Sequence, residues 1–329
     1  MTALKPVFRL ESLPDVARDH YIRTCSMQEA IAFSMVNDDY KRRVRRAQFK
    51  IKQLKVSVGN KIARIDFGSR CDQVWMEFPK EHPVGAHAMS IPSTVMQEDI
   101  CLSRNNRDMT FRQWLDHFME LFHCRNVILI LMDGFCMTYS ELESMFRGLD
   151  IKDAQLMGGH DEVHVEIIKN PSIEFLSINS KPILRAALAK PYIRLTVSTV
   201  FFPGSDSQFL MRSNCKHVDF VGGQHWIEDD INSYIRMFQN TDKVTMDSVY
   251  IVGRKSCPNF LDIALRGVEV RFFPEDQARN YPSDIKRIYF KEWPHFKGGF
   301  DFTMRDGSDA TLIYKVLGNY IHYIIMFWH

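Results

Sequence analysis

His160 and His164, in GGHDEVHVE, are the first residues of this chain whose types and spacing could do chemistry. On a helix, two histidines four apart hold zinc in the H-E-x-x-H pattern, and the glutamate after the first acts as general base. Here Asp161 takes that place. The run His164–Ile168 also reads as a strand, where side chains four apart share a face but stand too far apart to chelate one ion easily. Two ordinary surface histidines are the better account. A second opening is VDFVGGQHWIEDDI, with the order strand, Gly222-Gly223, helix. It lacks the third glycine of G-x-G-x-x-G and the lysine of a P-loop, so it reads as a turn. The carboxylate pairs Glu141/Glu143 and Asp229/Asp230 fall where helices begin, and acids are favoured there without any catalysis. No G-x-S-x-G occurs and no cysteine sits in a known nucleophile signature. These residues predict no catalytic group, no metal and no cofactor.

Composition narrows the class further. The chain has 329 residues, 45% apolar and 25% charged, enough for one large globular domain or two modest ones. A net charge of +2 gives no global field that would attract nucleic acid. The run KRRVRR (41–46) could be a nuclear-import or nucleic-acid patch, but the solvated face of a helix explains it better. Seven cysteines (25, 71, 101, 124, 136, 215 and 257) have irregular gaps and no C-x-x-C, which fits reduced thiols. The opening residues lack the apolar core of a signal peptide. The greasiest run, Tyr320 to Trp328, is about half of what a bilayer needs. The expectation is a cytoplasmic or nuclear protein with no membrane or nucleic-acid partner.

The elements come next. Pro14 suits a first helical position, and Ser26 with Glu29 forms a capping-box pattern before a helix over Met27–Val36. Asn37-Asp38 ends that helix and can cap a third over 39–46. The second helix carries Met27, Ala30, Ile31, Ala32, Phe33, Met35 and Val36, so it is apolar nearly all round. Such a helix must be buried on every side, and a module of about 35 residues cannot do that alone. Something else must cover it.

Beyond this module, residues 51–78 favour strands around a Gly59-Asn60 turn, and 80–108 read as a loop or connector. Thr110 precedes a helix with Phe111, Trp114, Leu115, Phe118, Leu121 and Phe122 at helical spacing. Short strand-like runs follow at 127–131, 164–168, 173–178, 193–197, 218–221, 249–252 and 268–272, several separated by helical stretches. The clearest helix places Ile227, Ile231, Tyr234, Ile235 and Phe238 on one face. Strands recurring every ~20–30 residues predict an α/β fold built as a βα repeat of leucine-rich-repeat-like period, with a doubly wound α/β sheet as the alternative. The end of the chain reads as a hairpin around Asp306-Gly307 and a last apolar strand.

Residues 13–44 resemble an F-box. Leu13, Pro14, Val16, Ile22, Ser26, Glu29, Ile31, Phe33, Ser34, Val36 and Val44 fall in that motif's register without a gap. Further on, SNCKHVDFVGGQHWIEDDINSYIRMFQN, LRGVEVRFF and the closing residues are similar to the type 2 F-box-associated domain of the large nematode-expanded family. There the matching positions are Ser213, Asn214, Cys215, Lys216, Asp230, Ile231, Asn232 and Phe238. The resemblance implies three segments: an F-box at 8–46, a strand-rich connector at 47–109 and a target-binding domain at 110–329. It also implies a non-enzymatic, substrate-recruiting subunit of an SCF-type (cullin–RING) ubiquitin ligase. The Skp adaptor would bind through Leu13, Pro14, Val16, Ile22, Ile31, Phe33 and Val36, with a cullin scaffold beyond it and an unknown protein as target. The alternative is a protein-binding module whose F-box has decayed and serves no ligase.

Overall fold

The computed structural model describes residues 10–49, 51, 53–60, 62–68, 73–79, 94–95, 109–158, 160–179, 181–197, 213–221, 227–255, 257–274 and 298–328. The expected connector at 80–108 (Thr94 and Val95 apart) and the Gly222-Gly223 turn lie outside them, as do Cys71 and Cys101. The fold is mixed α/β, in two compact units, Met1–Lys152 and Asp153–His329. The expected segments 8–46 and 47–109 and the start of 110–329 therefore share one unit.

The first unit opens with three helices, α1 (Asp15–Thr24), α2 (Met27–Ser34) and α3 (Asp38–Ala47). Pro14 is the residue before α1, one position earlier than expected. Ser26 and Glu29 close a reciprocal capping box: the Glu29 N–H donates to Ser26 Oγ and the Ser26 N–H donates to Glu29 Oε2 at 2.7 Å. Such a cap is worth about 1 kcal/mol. Asn37 caps α3 by accepting the Tyr40 N–H. Helix α2 stops at Ser34, two residues short of expectation, because Asn37 starts a new cap close behind it.

Four strands follow, β1 (Leu54–Val58), β2 (Ile62–Gly68), β3 (Gln73–Pro79) and β4 (Thr94–Val95), each antiparallel to the next. Then come α4 (Phe111–Leu121), β5 (Val127–Leu131), parallel to β1, and α5 (Tyr139–Phe146). Thr110 and Gln113 form the capping box that starts α4. Its expected aromatic stripe is buried throughout, and Phe67 of β2 packs on Phe118 and Phe122 with ring centres 4.7 and 5.5 Å away.

The second unit pairs strands in chain order. β6 (Ile151–Leu156), β7 (Phe175–Ile178), β8 (Arg194–Val197), β9 (His217–Phe220) and β10 (Ser248–Arg254) are parallel neighbours in that sequence. Helices α6 (Asp161–Ile168), α7 (Lys181–Leu188) and α8 (Glu228–Gln239) lie between successive strands, and a short α9 (Phe260–Ala264) follows β10. β10 is then met antiparallel by β14 (Tyr320–Trp328), followed outward by β13 (Asp309–Leu317), β12 (Gly299–Thr303) and β11 (Arg271–Phe273). One strand face is apolar and fully buried: Leu176, Ile178, Leu195, Val197, Val218, Phe220, Val249 and Ile251. Helix α8 sits on that face, with Tyr234 against Phe220. The turn between β12 and β13 is the expected one at Asp306-Gly307, and Gly307 takes a φ of 84° that favours glycine.

Several sequence expectations are corrected here: the strand expected at 268–272 is confined to Arg271–Phe273, and His164, read as a surface residue, is buried. Residues 164–168 are helix, not strand: Asp161 and Glu162 supply an acidic first turn, and Val163 with Ile167 and His164 with Ile168 recur at helical spacing on the buried side. Ile227 does not belong to the apolar face of α8; it precedes the helix and is exposed. Its N–H donates to Asp230, which assigns one of the Asp229/Asp230 carboxylates to capping. Among the described residues, no helix is long and apolar enough to cross a membrane.

Candidate protein-docking surface

The first and third of the N-terminal helices are tied together by a single guanidinium. Arg43 of α3 donates to Asp39 one turn back, to Asp19 and to Asp15, at 2.7, 2.6 and 2.7 Å, and its side chain is only 10% exposed. Three acids around one fork hold α1 against α3 and raise the arginine's pKa further above its ordinary value. The hydrogen bond from Arg43 in turn holds the Asp39 carboxyl below its usual range. Within the run KRRVRR, Lys41 and Arg45 pair with Glu120, and Arg42 pairs with Asp39. The run is thus largely an ion-paired helix face.

A second set of contacts joins this module to α4. The Ser34 hydroxyl donates to the Ile31 carbonyl at 2.6 Å and lies 2.9 Å from His117 Nε2. A hydroxyl has one proton to give, so His117 donates from Nε2 and Ser34 accepts. His117 is neutral for a physical reason: burial pushes its pKa down to about 4, the nearby Lys41 cation adds to this, and Glu120 opposes it. On the rim of the same contact, Glu120 accepts from Lys41 at 2.7 Å and pairs with Arg45 at 3.4 Å. The hydrogen bond from Lys41 holds the Glu120 carboxyl below its usual range.

The seven residues expected to bind a partner divide into two groups. Ile22 and Ile31 are interior, 0% and 4% exposed. Leu13 and Phe33 are half-buried and Pro14 is exposed. Val16 and Val36 are 81% and 58% exposed. Tyr21 is exposed, and its ring meets Phe33 edge-on at 5.9 Å; Phe33 also stacks on Tyr40 at 5.6 Å. Val36 follows one turn after Phe33. The result is an aromatic and aliphatic strip along the end of α2, with Leu13, Pro14 and Val16 at the start of α1.

Ser34 entered the sequence reading only as part of the F-box register, and the contacts of His117, Glu120 and Arg43 were missed. Local signals existed for the individual residues, though not for the pairing of Ser34 with His117. Ser34 is the polar member of a face otherwise made by Met27, Ala30 and Ile31; His117 and Glu120 share the flank of α4 beside its aromatic stripe; Asp39 and Arg43 are four apart.

The groups screened for chemistry have local roles. His160 stands just before α6, and His164 is buried, its Nε2 donating to the Gly158 carbonyl at 2.9 Å. Glu141 completes the capping box of α5 with Thr138. Five cysteines among the described residues are free thiols. Among the described residues, no three His, Cys, Asp or Glu side chains come together as a metal site. No protein-family model, no curated protein and no solved structure matches the chain.

Proposed function

We propose that this chain recruits a protein target to a cullin–RING ubiquitin ligase and is not itself an enzyme. The N-terminal helices dock the Skp adaptor, and the adaptor connects to the cullin scaffold. The observation that carries this reading is the apolar strip of Tyr21, Phe33 and Val36, with Pro14 and Val16 on α1, left uncovered on an internally clasped module whose caps fall in the register of an F-box. Exposed apolar residues grouped on one small module mark an interaction site. The gain is proximity: holding a target beside the charged ubiquitin carrier raises its effective concentration without any catalytic group. Such a protein acts in the cytoplasm or nucleus.

The target would be held by the second unit, read as a short leucine-rich-repeat-like βα run. Five parallel strands in unbroken chain order support that reading, whereas a doubly wound sheet reverses strand order at a switch point. The strand residues that alternate with the buried apolar row are polar and half-buried at Gln155, Ser177, Arg194 and Thr196, which suits side-chain recognition of a protein surface.

One observation favours the rival, a binding module with no ligase role: Ile22 and Ile31 are already buried within the chain. Co-purification with the Skp adaptor separates the two. A stoichiometric complex with the native chain, lost in the Leu13→Ala/Pro14→Ala variant, supports the ligase reading. A well-folded native chain that leaves the adaptor behind supports the rival.

A further inference from the structure

The hairpin of β13 and β14 leads out of the core toward its Gly318-Asn319 turn. Its register, together with that of β10, sets side chains in rows on the sheet face opposite the one that carries α8. Farthest from the turn, Ile313, Ile324 and Tyr250 stand side by side and are buried. The next row is Lys315, His322 and Val252, all half-buried. The last is Leu317, Tyr320 and Arg254; Leu317 and Tyr320 are 40% and 41% exposed, and Arg254 is exposed too.

This end is fixed in place. Gly318 takes a φ of 59° at the first position of the two-residue turn, where an L side chain is strained. The Lys255 N–H donates to the Asn319 carbonyl at 2.9 Å and ties the turn to the end of β10. Behind it, the Tyr250 hydroxyl lies 2.6 Å from His322 Nδ1 and the two rings stack. A surface already in shape loses little entropy on binding. Its charge is of one sign. Burial and the Lys315 cation push the His322 pKa down, so the ring is uncharged at neutral pH, and the ionised groups in these rows are Arg254 and Lys315. No carboxylate stands in the rows. On these and the flanking strands, the carboxylates of this face are committed: Asp219 holds Arg194, and Asp301 and Asp309 meet Arg271. Arg254 has no ion pair among the described residues.

We propose that this end of the sheet grips the target, and that it takes an acidic segment of that protein with apolar side chains between its carboxylates. This deepens the reading of the second unit as target-binding and rests on it. A carboxylate of the segment pairs with Arg254 in the field of Lys315, and apolar side chains cover Leu317 and the Tyr320 ring. Tyrosine and arginine are the types that carry much of the energy at protein interfaces. The same face runs on through Thr196, Ser177 and Gln155, which gives a longer segment polar contacts beyond the grip.

The test is fluorescence anisotropy of the full chain with two labelled peptides of about twelve residues, one alternating Glu and Leu and the other Lys and Leu, long enough to cross several strands. The native chain should bind the Glu peptide at least about tenfold more tightly than the Lys peptide, and less tightly as salt rises. Arg254→Glu and Tyr320→Ser should each weaken that binding about tenfold. No binding of the Glu peptide, equal affinity for both peptides, or binding unchanged in both variants with native far-ultraviolet circular dichroism overturns the proposal. Should these variants unfold, Arg254→Gln makes the same comparison at about threefold, and no change there overturns it. Binding of phosphatidylserine vesicles through Arg254 and Tyr320, without the Glu peptide, overturns it in favour of a membrane surface. Adaptor binding is measured on the same chains. A native chain that binds the Glu peptide but no adaptor keeps the grip and removes the ligase reading; one that binds the adaptor but not the peptide does the reverse.

Discussion

Helices α2 and α8 are both rich in apolar residues, yet they end differently. In α8, Ile231, Tyr234, Ile235 and Phe238 form one stripe, and all four are buried within the second unit, with Phe238 against Phe327 of β14 and Tyr234 against Phe220 of β9. Helix α2 is apolar on both sides. The first unit buries Met27, Ala30 and Ile31 but leaves Phe33 half-buried and Val36 exposed just beyond the helix end. An amphipathic stripe is satisfied by its own sheet. A helix whose polar residues, Gln28 and Glu29, are confined to its first turn keeps an apolar remainder, and that remainder is where a partner gains most by binding.

The largest effect that would sharpen this comparison is in α8. Phe238→Ala should destabilise the second unit by about 3–5 kcal/mol in chemical denaturation, because it opens a cavity in a fully packed site. A small loss there would mean that α8 is as loosely held as the far side of α2.

The next effect is a dependence on acid in the α2–α4 contact. Burial keeps folded His117 titrating at about 4, against 6.5 ordinarily, so on acidification the unfolded chain takes up this proton first. The contribution is complete above about 6.5, falls as pH drops toward about 4, and amounts to at most about 3 kcal/mol. Denaturation midpoints of the native chain and His117→Gln, compared across that range, should converge toward low pH. Parallel curves would show that His117 is not held neutral by burial.

Removing the cap of α2 comes third. Ser26→Ala should cost about 1 kcal/mol by denaturation, with the same content of helix remaining in the folded chain. The smallest change in stability is expected from Val36→Asp, within about 0.5 kcal/mol, because the side chain is mostly in water. If Val36→Asp proves strongly destabilising, the strip is core rather than docking surface.

How much of this was legible in the sequence depends on range. The caps at Ser26, Asn37 and Thr110 were readable because each is decided by residues three apart. The aromatic stripe of α4 and the hairpin at Asp306-Gly307 were readable for the same local reason. Residues 164–168 misled because Val165, Ile167 and Ile168 favour strands, while the acidic pair at 161–162 and the four-residue spacing of the buried side chains decided for helix. β6, Ile151–Leu156, was missed because Lys152, Asp153 and Gln155 break its apolar alternation. The contact between the end of α2 and α4 could not be read at all: Ser34 and His117 are 83 residues apart, and neither position announces the other. The sequence argument asked for a cover for α2; within the chain, Ser34 at its end meets His117 of α4, and Phe33 stacks on Tyr40 of α3.

The central claim is that the uncovered side of α2 docks the Skp adaptor, and calorimetric titration of the adaptor into the full chain tests it most directly. The native chain should bind at one to one, and Val36→Asp, still folded, should bind at least about tenfold more weakly, as an anchor residue at an interface does. Equal affinities, or no heat of binding from a folded native chain, would contradict it.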